Sequence, residues 1–228
     1  MPEIFYRRRL PHWQPPGASY FVTYRLVGTI PYTILEQLRQ ERERLLSQPN
    51  KANFSARDWQ IQVDKKIFAL WDNYLDNHVN IRWLAVPGVA NMIHKSFYYY
   101  AGDKYHLRAY AIMPNHVHIL ISPIEDSIAI LQQAPNDKTK KGLLSPIMHS
   151  LKSYTANQAN KILERNGQFW QHESYDHWVR DEEEFCRIVY YIENNPVKAG
   201  LAIRPEDWLY SSAHDRIQRG FGPYDHLV

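Results

Sequence analysis

Two short stretches of the chain carry residues whose types and spacing could do chemistry. The first is His116-Val117-His118. On a β-strand, residues i and i+2 point to one face, so both imidazoles project together, while Val117, Ile119 and Ile121 line an opposite, apolar face. Two imidazoles on the exposed or cleft side of a strand could hold a divalent metal. With eleven histidines in the chain such a spacing arises easily by chance, so the pair gains weight only from its company. The second stretch is Tyr190-Tyr191-Ile192-Glu193-Asn194-Asn195-Pro196. In the last helical turn before Pro196, residues four apart share a face, which pairs Tyr191 with Asn195 and Tyr190 with Asn194. A phenol beside a neutral oxygen ligand suits covalent phosphoryl transfer: the tyrosine attacks phosphorus, and a metal held by two histidines and an amide oxygen polarises the phosphate. A phosphotyrosine diester is close in energy to the bond it replaces, so such a site favours reversible joining over hydrolysis. The plain alternative is a helix end whose tyrosines pack in the core and whose asparagine caps it.

These residues need elements to position them. Ser19 to Val27 is rich in aromatic and β-branched residues and reads as a strand. Apolar residues at helical spacing mark helices over Tyr32–Ser47, Arg57–Asp76 and, opened by Pro87, up to about Tyr100. The period then changes. His106–Ile112 and His116–Ser122 read as strands joined by the turn Met113-Pro114-Asn115. Residues 125–142 read as a loop with a basic tip, Leu144–Leu163 as a helix, and Phe169–Arg180 as holding a strand. Asp181-x-x-Glu184 resembles a capping box opening a helix that Pro196 ends, and residues 200–228 read as an irregular tail.

Length and composition set outer bounds. At 228 residues the chain is one sizeable domain, large enough to fold without disulfides, and the single Cys186 fits a reducing, cytoplasmic setting. No apolar run approaches the roughly 18 residues of a membrane span. The net charge of +3 is mildly basic and compatible with nucleic acid. Residues 1–18 form a basic, proline-punctuated arm, and the basic excess concentrates again over 136–165. Arg7, Arg8, Arg9, Lys138, Lys140, Lys141 and Lys152 could grip phosphates, or could equally be a solvated charged surface. Trp13, Trp170 and Trp178 could stack on unpaired bases, though core packing accounts as well for the latter two.

The two stretches together carry a family resemblance. AIMPNHVHIL (residues 111–120), followed some seventy residues on by YIENNPVKAG (191–200), resembles the single-tyrosine HUH transposases, most of all the REP-associated tyrosine transposases. GASYFVT (17–23), FWQH (169–172) and WLYSS (208–212) agree in order, and the resemblance spans about residues 17–213. It implies an α+β fold, a central antiparallel sheet of the ferredoxin-like HUH palm type flanked by helices. It makes 19–213 a catalytic domain with a helical insertion around 50–80, and 214–228 a C-terminal tail. By the same likeness Tyr191 is the nucleophile and His116, His118 and Asn195 ligate Mg²⁺ or Mn²⁺. Insertion-sequence relatives usually carry glutamine at the last of these positions, and Asn195 agrees with the REP-associated branch. The implied activity is nicking and strand transfer on single-stranded, hairpin-forming DNA through a 5′-phosphotyrosine, by a monomer or a homodimer. Two rivals stand beside it: a retired transposase that binds hairpins without cutting, and a zinc hydrolase, for which no carboxylate near the histidines in sequence has an obvious claim.

Overall fold

A computed structural model describes residues 18–48, 55–124 and 144–222. Four strands, β1 (Tyr20–Leu26), β2 (Tyr105–Ile112), β3 (His116–Pro123) and β4 (Trp170–Trp178), form one antiparallel sheet in the order β2-β3-β1-β4. Among the described residues six α-helices surround it: α1 (Tyr32–Leu46), α2 (Ala56–Asn77), α3 (Pro87–Tyr100), α4 (Leu144–Ile162), α5 (Glu182–Lys198) and α6 (Ser212–Arg219). The chain is thus α+β, with the strand order of a split βαβ, ferredoxin-like unit. Among the described residues no helix is long and apolar enough to cross a membrane.

Strand alternation sorts the sheet into two faces, each with its own core. Tyr20, Val22, Tyr24 and Leu26 of β1 and Val117, Ile119 and Ile121 of β3 pack against α3 and α4. Phe21 and Leu120 point the other way, into a second core built with α1, α2 and α5. A register shift in β2 between Leu107 and Ala109 reverses that strand's alternation. Tyr110 and Ile112 therefore join the same core as Tyr105 and Leu107.

Two expectations from the sequence change here. The tail is not irregular throughout: after a short 3₁₀ turn at Pro205–Asp207, α6 is N-capped by Ser211 and stopped by Gly220 in the left-handed region. This segment seals the outer edge of β2. Ile112 N–H donates to the Tyr210 carbonyl, Tyr110 N–H to Ser212 Oγ, and Arg216 Nη2 to the Arg108 carbonyl. Nor does Pro196 end α5, which continues to Lys198. Proline removes one N–H, but Ala199 N–H still reaches the Asn195 carbonyl and Leu201 N–H the Pro196 carbonyl, so the final turn closes around it.

The start of α5 follows its sequence signal. Asp181 Oδ1 accepts from Glu184 N–H at 2.7 Å, and acidic residues fill the first turn, where the helix dipole favours them.

Candidate active site

The register of the sheet puts the histidine pair beside β1. Arg25 opposes His116 and Thr23 opposes His118. Each ring is anchored through Nδ1, His118 by Thr23 Oγ1 at 2.7 Å and His116 by Asn115 Oδ1 at 2.6 Å. Asn115 is oriented by donating its Nδ2 to the Leu75 carbonyl, so its oxygen faces His116, whose Nδ1 carries the hydrogen. Both Nε2 atoms then turn inward and lie 3.0 Å apart. This is the arrangement by which a second layer of hydrogen bonds orients imidazole ligands. The pair is not on an open cleft, as strand alternation alone suggests: both rings are fully buried, because the helices of the second core roof that face. Burial pushes His116 down to about 3, with His118 adding to the effect, so its imidazole is neutral and free to ligate at ordinary pH.

The roof is α2, and it brings a residue that the local sequence around the histidines does not advertise. Asp72 Oδ1 lies 3.3 Å from His118 Nε2 and 3.8 Å from His116 Nε2. One ligand atom from each of Asp72, His116 and His118 lies within 4.8 Å of the others, a group that could hold a metal ion. One turn on, Asp76 places Oδ1 4.0 Å from His116 Nε2. Burial alone would raise the Asp72 carboxyl, but His118 foremost, with His116 and the Tyr191 hydroxyl, holds it below the usual range. Asp76 is raised instead, by burial and then by the Asp72 charge.

The third wall is α5. Tyr191 donates its hydroxyl to Asp72 Oδ2, and its ring sits edge-on to Phe21 at 5.9 Å between centroids. Its neighbour Tyr190 points away and is 67% exposed. Burial first, then Asp72, keep the Tyr191 phenol well above its ordinary pKa, so it stays protonated at neutral pH until a base or cation assists. Asn195 is fully buried one turn later and turns its Nδ2 towards Asp72 Oδ2 at 3.4 Å.

Among the described residues, Asp72 Oδ1, Asp76 Oδ1 and Asn195 Oδ1 are buried oxygens without a hydrogen-bond partner. Such orphans are costly unless something fills them. The two aspartate oxygens lie within 4.0 Å of an imidazole Nε2, a donor set that fits a divalent cation with mixed oxygen and imidazole ligation.

No family model matches the chain. Individual proteins do. A REP-associated tyrosine transposase of Escherichia coli is 36% identical over 56 residues, 25% of this chain and 34% of its own. A Haemophilus influenzae protein assigned provisionally to the same family is 28% identical over 117 residues, 51% of this chain and 64% of its own. Over these stretches the chain is similar to REP-associated tyrosine transposases. A second Haemophilus influenzae protein, uncharacterised, is 31% identical over 94 residues, 39% of this chain and 52% of its own. The chain thus spans less than two thirds of the length of the curated relatives it matches. A solved structure of a REP-associated tyrosine transposase bound to a REP hairpin aligns with a TM-score of 0.45 at 16% identity, over 96% of this chain and 88% of that one.

Relative to the family residues read from the sequence, the fold brings His116, His118, Tyr191 and Asn195 together around Asp72. Lys152 lies apart. Its ammonium donates to the Gln171 and His172 carbonyls and faces the Tyr24 ring, on the opposite side of the sheet, and burial pushes it down to about 8. Arg7, Arg8, Arg9, Lys138, Lys140 and Lys141 lie outside the described residues. Of the tryptophans, Trp170 is core and donates to Thr155 Oγ1. His177 Nε2 pairs with Glu184 Oε1, which also accepts from Lys65 Nζ. Asp72 is the residue that sequence reasoning missed. Its signal was an acid inside the apolar stripe of α2, flanked by Phe68, Trp71 and Leu75, where an amphipathic helix places no charge without a partner.

Proposed function

We propose that this chain is a metal-dependent endonuclease and strand transferase for single-stranded, hairpin-forming DNA, working through a 5′-phosphotyrosine at Tyr191. The observation that carries the reading is the shared carboxylate: Asp72 receives the Tyr191 hydroxyl on one oxygen and faces both imidazoles with the other. The family motifs, and the names of the curated relatives, supply the substrate class.

His116, His118 and Asp72 would hold the cation, with Asn195 Oδ1 as a further donor. When bound, Mg²⁺ or Mn²⁺ would polarise the scissile phosphate and offset its charge. Carboxylate and amide oxygens beside imidazole suit Mn²⁺ better than a site built of imidazoles alone. The protein's own part is positioning and proton handling. Phe21 and Phe68 fix the Tyr191 ring, and Asp72 Oδ2 takes the phenolic proton as Oη bonds phosphorus. The P–O3′ bond breaks, and the leaving oxygen acquires a proton from water as the 3′-hydroxyl. Burial of the histidines and Asp72 keeps water from the phosphotyrosine, which a later 3′-hydroxyl can attack to rejoin strands.

Asp72 also gives the hydrolase rival the carboxylate it lacked, since two histidines and an acid can activate a bound water. Purified protein incubated with 5′- and 3′-end-labelled tailed hairpins, in Mg²⁺, Mn²⁺ or EDTA, separates the readings. A metal-dependent band that migrates as a protein adduct supports strand transfer. Free fragments alone mean hydrolysis, and a shifted but uncut hairpin means binding only.

A further inference from the structure

We infer that Lys198 is a further catalytic residue of this site, whose ammonium binds the non-bridging oxygens of the scissile phosphate as Tyr191 attacks; the inference rests on the strand-transfer reading above. Tyr191, Asn195 and Lys198 lie at i, i+4 and i+7 on α5 and so share one face. Lys198 Nζ is 3.3 Å from Asp72 Oδ2, the same oxygen that receives the Tyr191 hydroxyl, and 2.8 Å from Asp76 Oδ2. It also stands 5.8 Å from the centre of the Tyr191 ring. Nucleophile and ammonium are therefore neighbours held by one carboxylate.

Position within the wall matters as much as distance. Asp72, His116 and His118 have no exposed side-chain surface, whereas the Lys198 side chain is 45% exposed. Lys198 thus forms the rim of the site. α2 is no lid that could open to admit DNA elsewhere. It buries Ile61, Val63, Ile67, Phe68, Trp71 and Leu75, and exposing that whole apolar face would cost free energy comparable with the stability of an entire domain. A phosphate that approaches Tyr191 across this rim meets the lysine.

The charges require it too. Asp72 and Asp76 present two carboxylates to an incoming phosphodiester, and a divalent cation would only balance them. Lys198 supplies the remaining positive charge that the phosphate needs. Among the described residues no other lysine or arginine pairs with Asp72. Arg25, on the same sheet face, turns its guanidinium to Thr29 and Trp71 instead. As Oη bonds phosphorus and the P–O3′ bond breaks, charge grows on the non-bridging oxygens, and a fixed cation there acts as an oxyanion-hole donor does.

The rival explanation is that Lys198 merely neutralises Asp76, and a double-mutant comparison separates the two. Single-turnover adduct formation on a tailed hairpin with Mn²⁺ would be timed for wild type, Lys198→Met, Lys198→Arg, Asp76→Asn and the Lys198→Met/Asp76→Asn pair, with hairpin affinity and thermal melting as checks on folding. Lys198→Met should slow the adduct by about 100-fold, with Lys198→Arg in between and hairpin affinity within about threefold. The double variant should stay as slow relative to Asp76→Asn. A rate for Lys198→Met within threefold of wild type, or a double variant as fast as Asp76→Asn, overturns the inference while leaving strand transfer intact. Absence of any adduct with wild type overturns the strand-transfer reading itself, and this inference with it.

Discussion

Tyr191 and Asp72, 119 positions apart in the chain, share a hydrogen bond that ties the middle of α5 to the C-terminal third of α2. The other oxygen of the same carboxylate faces His118 Nε2 at 3.3 Å. The proposed nucleophile and the candidate metal ligands are thereby joined through one side chain. Both long-range contacts fail together if that side chain changes.

Asp72→Asn keeps the shape but removes the charge. The variant should bind Mn²⁺ about 10- to 100-fold more weakly, by analogy with the loss of groups that support metal ligands, when titrated calorimetrically against wild type. Hairpin affinity should be nearly unaffected, because no phosphate contact is removed. Unchanged Mn²⁺ affinity would show that the histidines and Asn195 suffice without the acid.

A second buried carboxylate sets part of the acid stability. Asp215 on α6 accepts from the hydroxyls of Tyr98 and Tyr110 and from His94 Nε2 at 3.0 Å. Burial would raise its pKa, but these donors bring it down from 3.8 to about 2. A carboxyl depressed in the folded state stabilises fully above its unfolded pKa and loses that contribution as pH falls through the folded one. The loss therefore occurs between about pH 4 and pH 2. Asp215→Asn should cost about 2 kcal/mol at pH 7 and flatten the stability profile over that acid window, as urea denaturation at stepped pH would record.

The sheet, its order of elements and most helix boundaries were legible because strand alternation and helical spacing are local properties. The cap at Asp181 and the break at Pro87 likewise fall where side-chain chemistry dictates. Tyr191, Asn195 and the histidine pair were legible as motifs. Asp72 was not, since nothing between positions 72 and 116 says that α2 crosses that sheet face; only its place in an apolar stripe hinted at a buried partner. Pro196 misled for a related reason. A proline in the last turn removes a single hydrogen bond, and the tertiary contacts that bury Asn195 and Pro196 outweigh it. The closure of the β2 edge by Trp208–Arg216 depends on long-range pairing through Ser211, Ser212 and Arg216, which carries no local period.

Arg25 offers a test of how far the site has been built at the expense of stability. It is 1% exposed, and its Nε and Nη2 have no hydrogen-bond partner among the described residues. Burial pushes the guanidinium down to about 10, against a smaller opposing effect of Glu173. Replacing a buried, under-paired charge by an apolar side chain of similar length is commonly neutral or stabilising by about 1–4 kcal/mol. Arg25→Met should therefore raise the melting temperature. A fall of more than a few degrees would show that the guanidinium contributes more than its visible bond to Thr29.

The most direct test of the account is Tyr191→Phe beside wild type, each incubated with Mn²⁺ and a tailed hairpin carrying a label downstream of the scissile phosphate, then run on a denaturing gel. Removing one hydroxyl should abolish the slow-migrating protein–DNA band and leave native-gel hairpin binding within about threefold. A band that persists in the variant would assign the nucleophile to another residue and contradict the central claim.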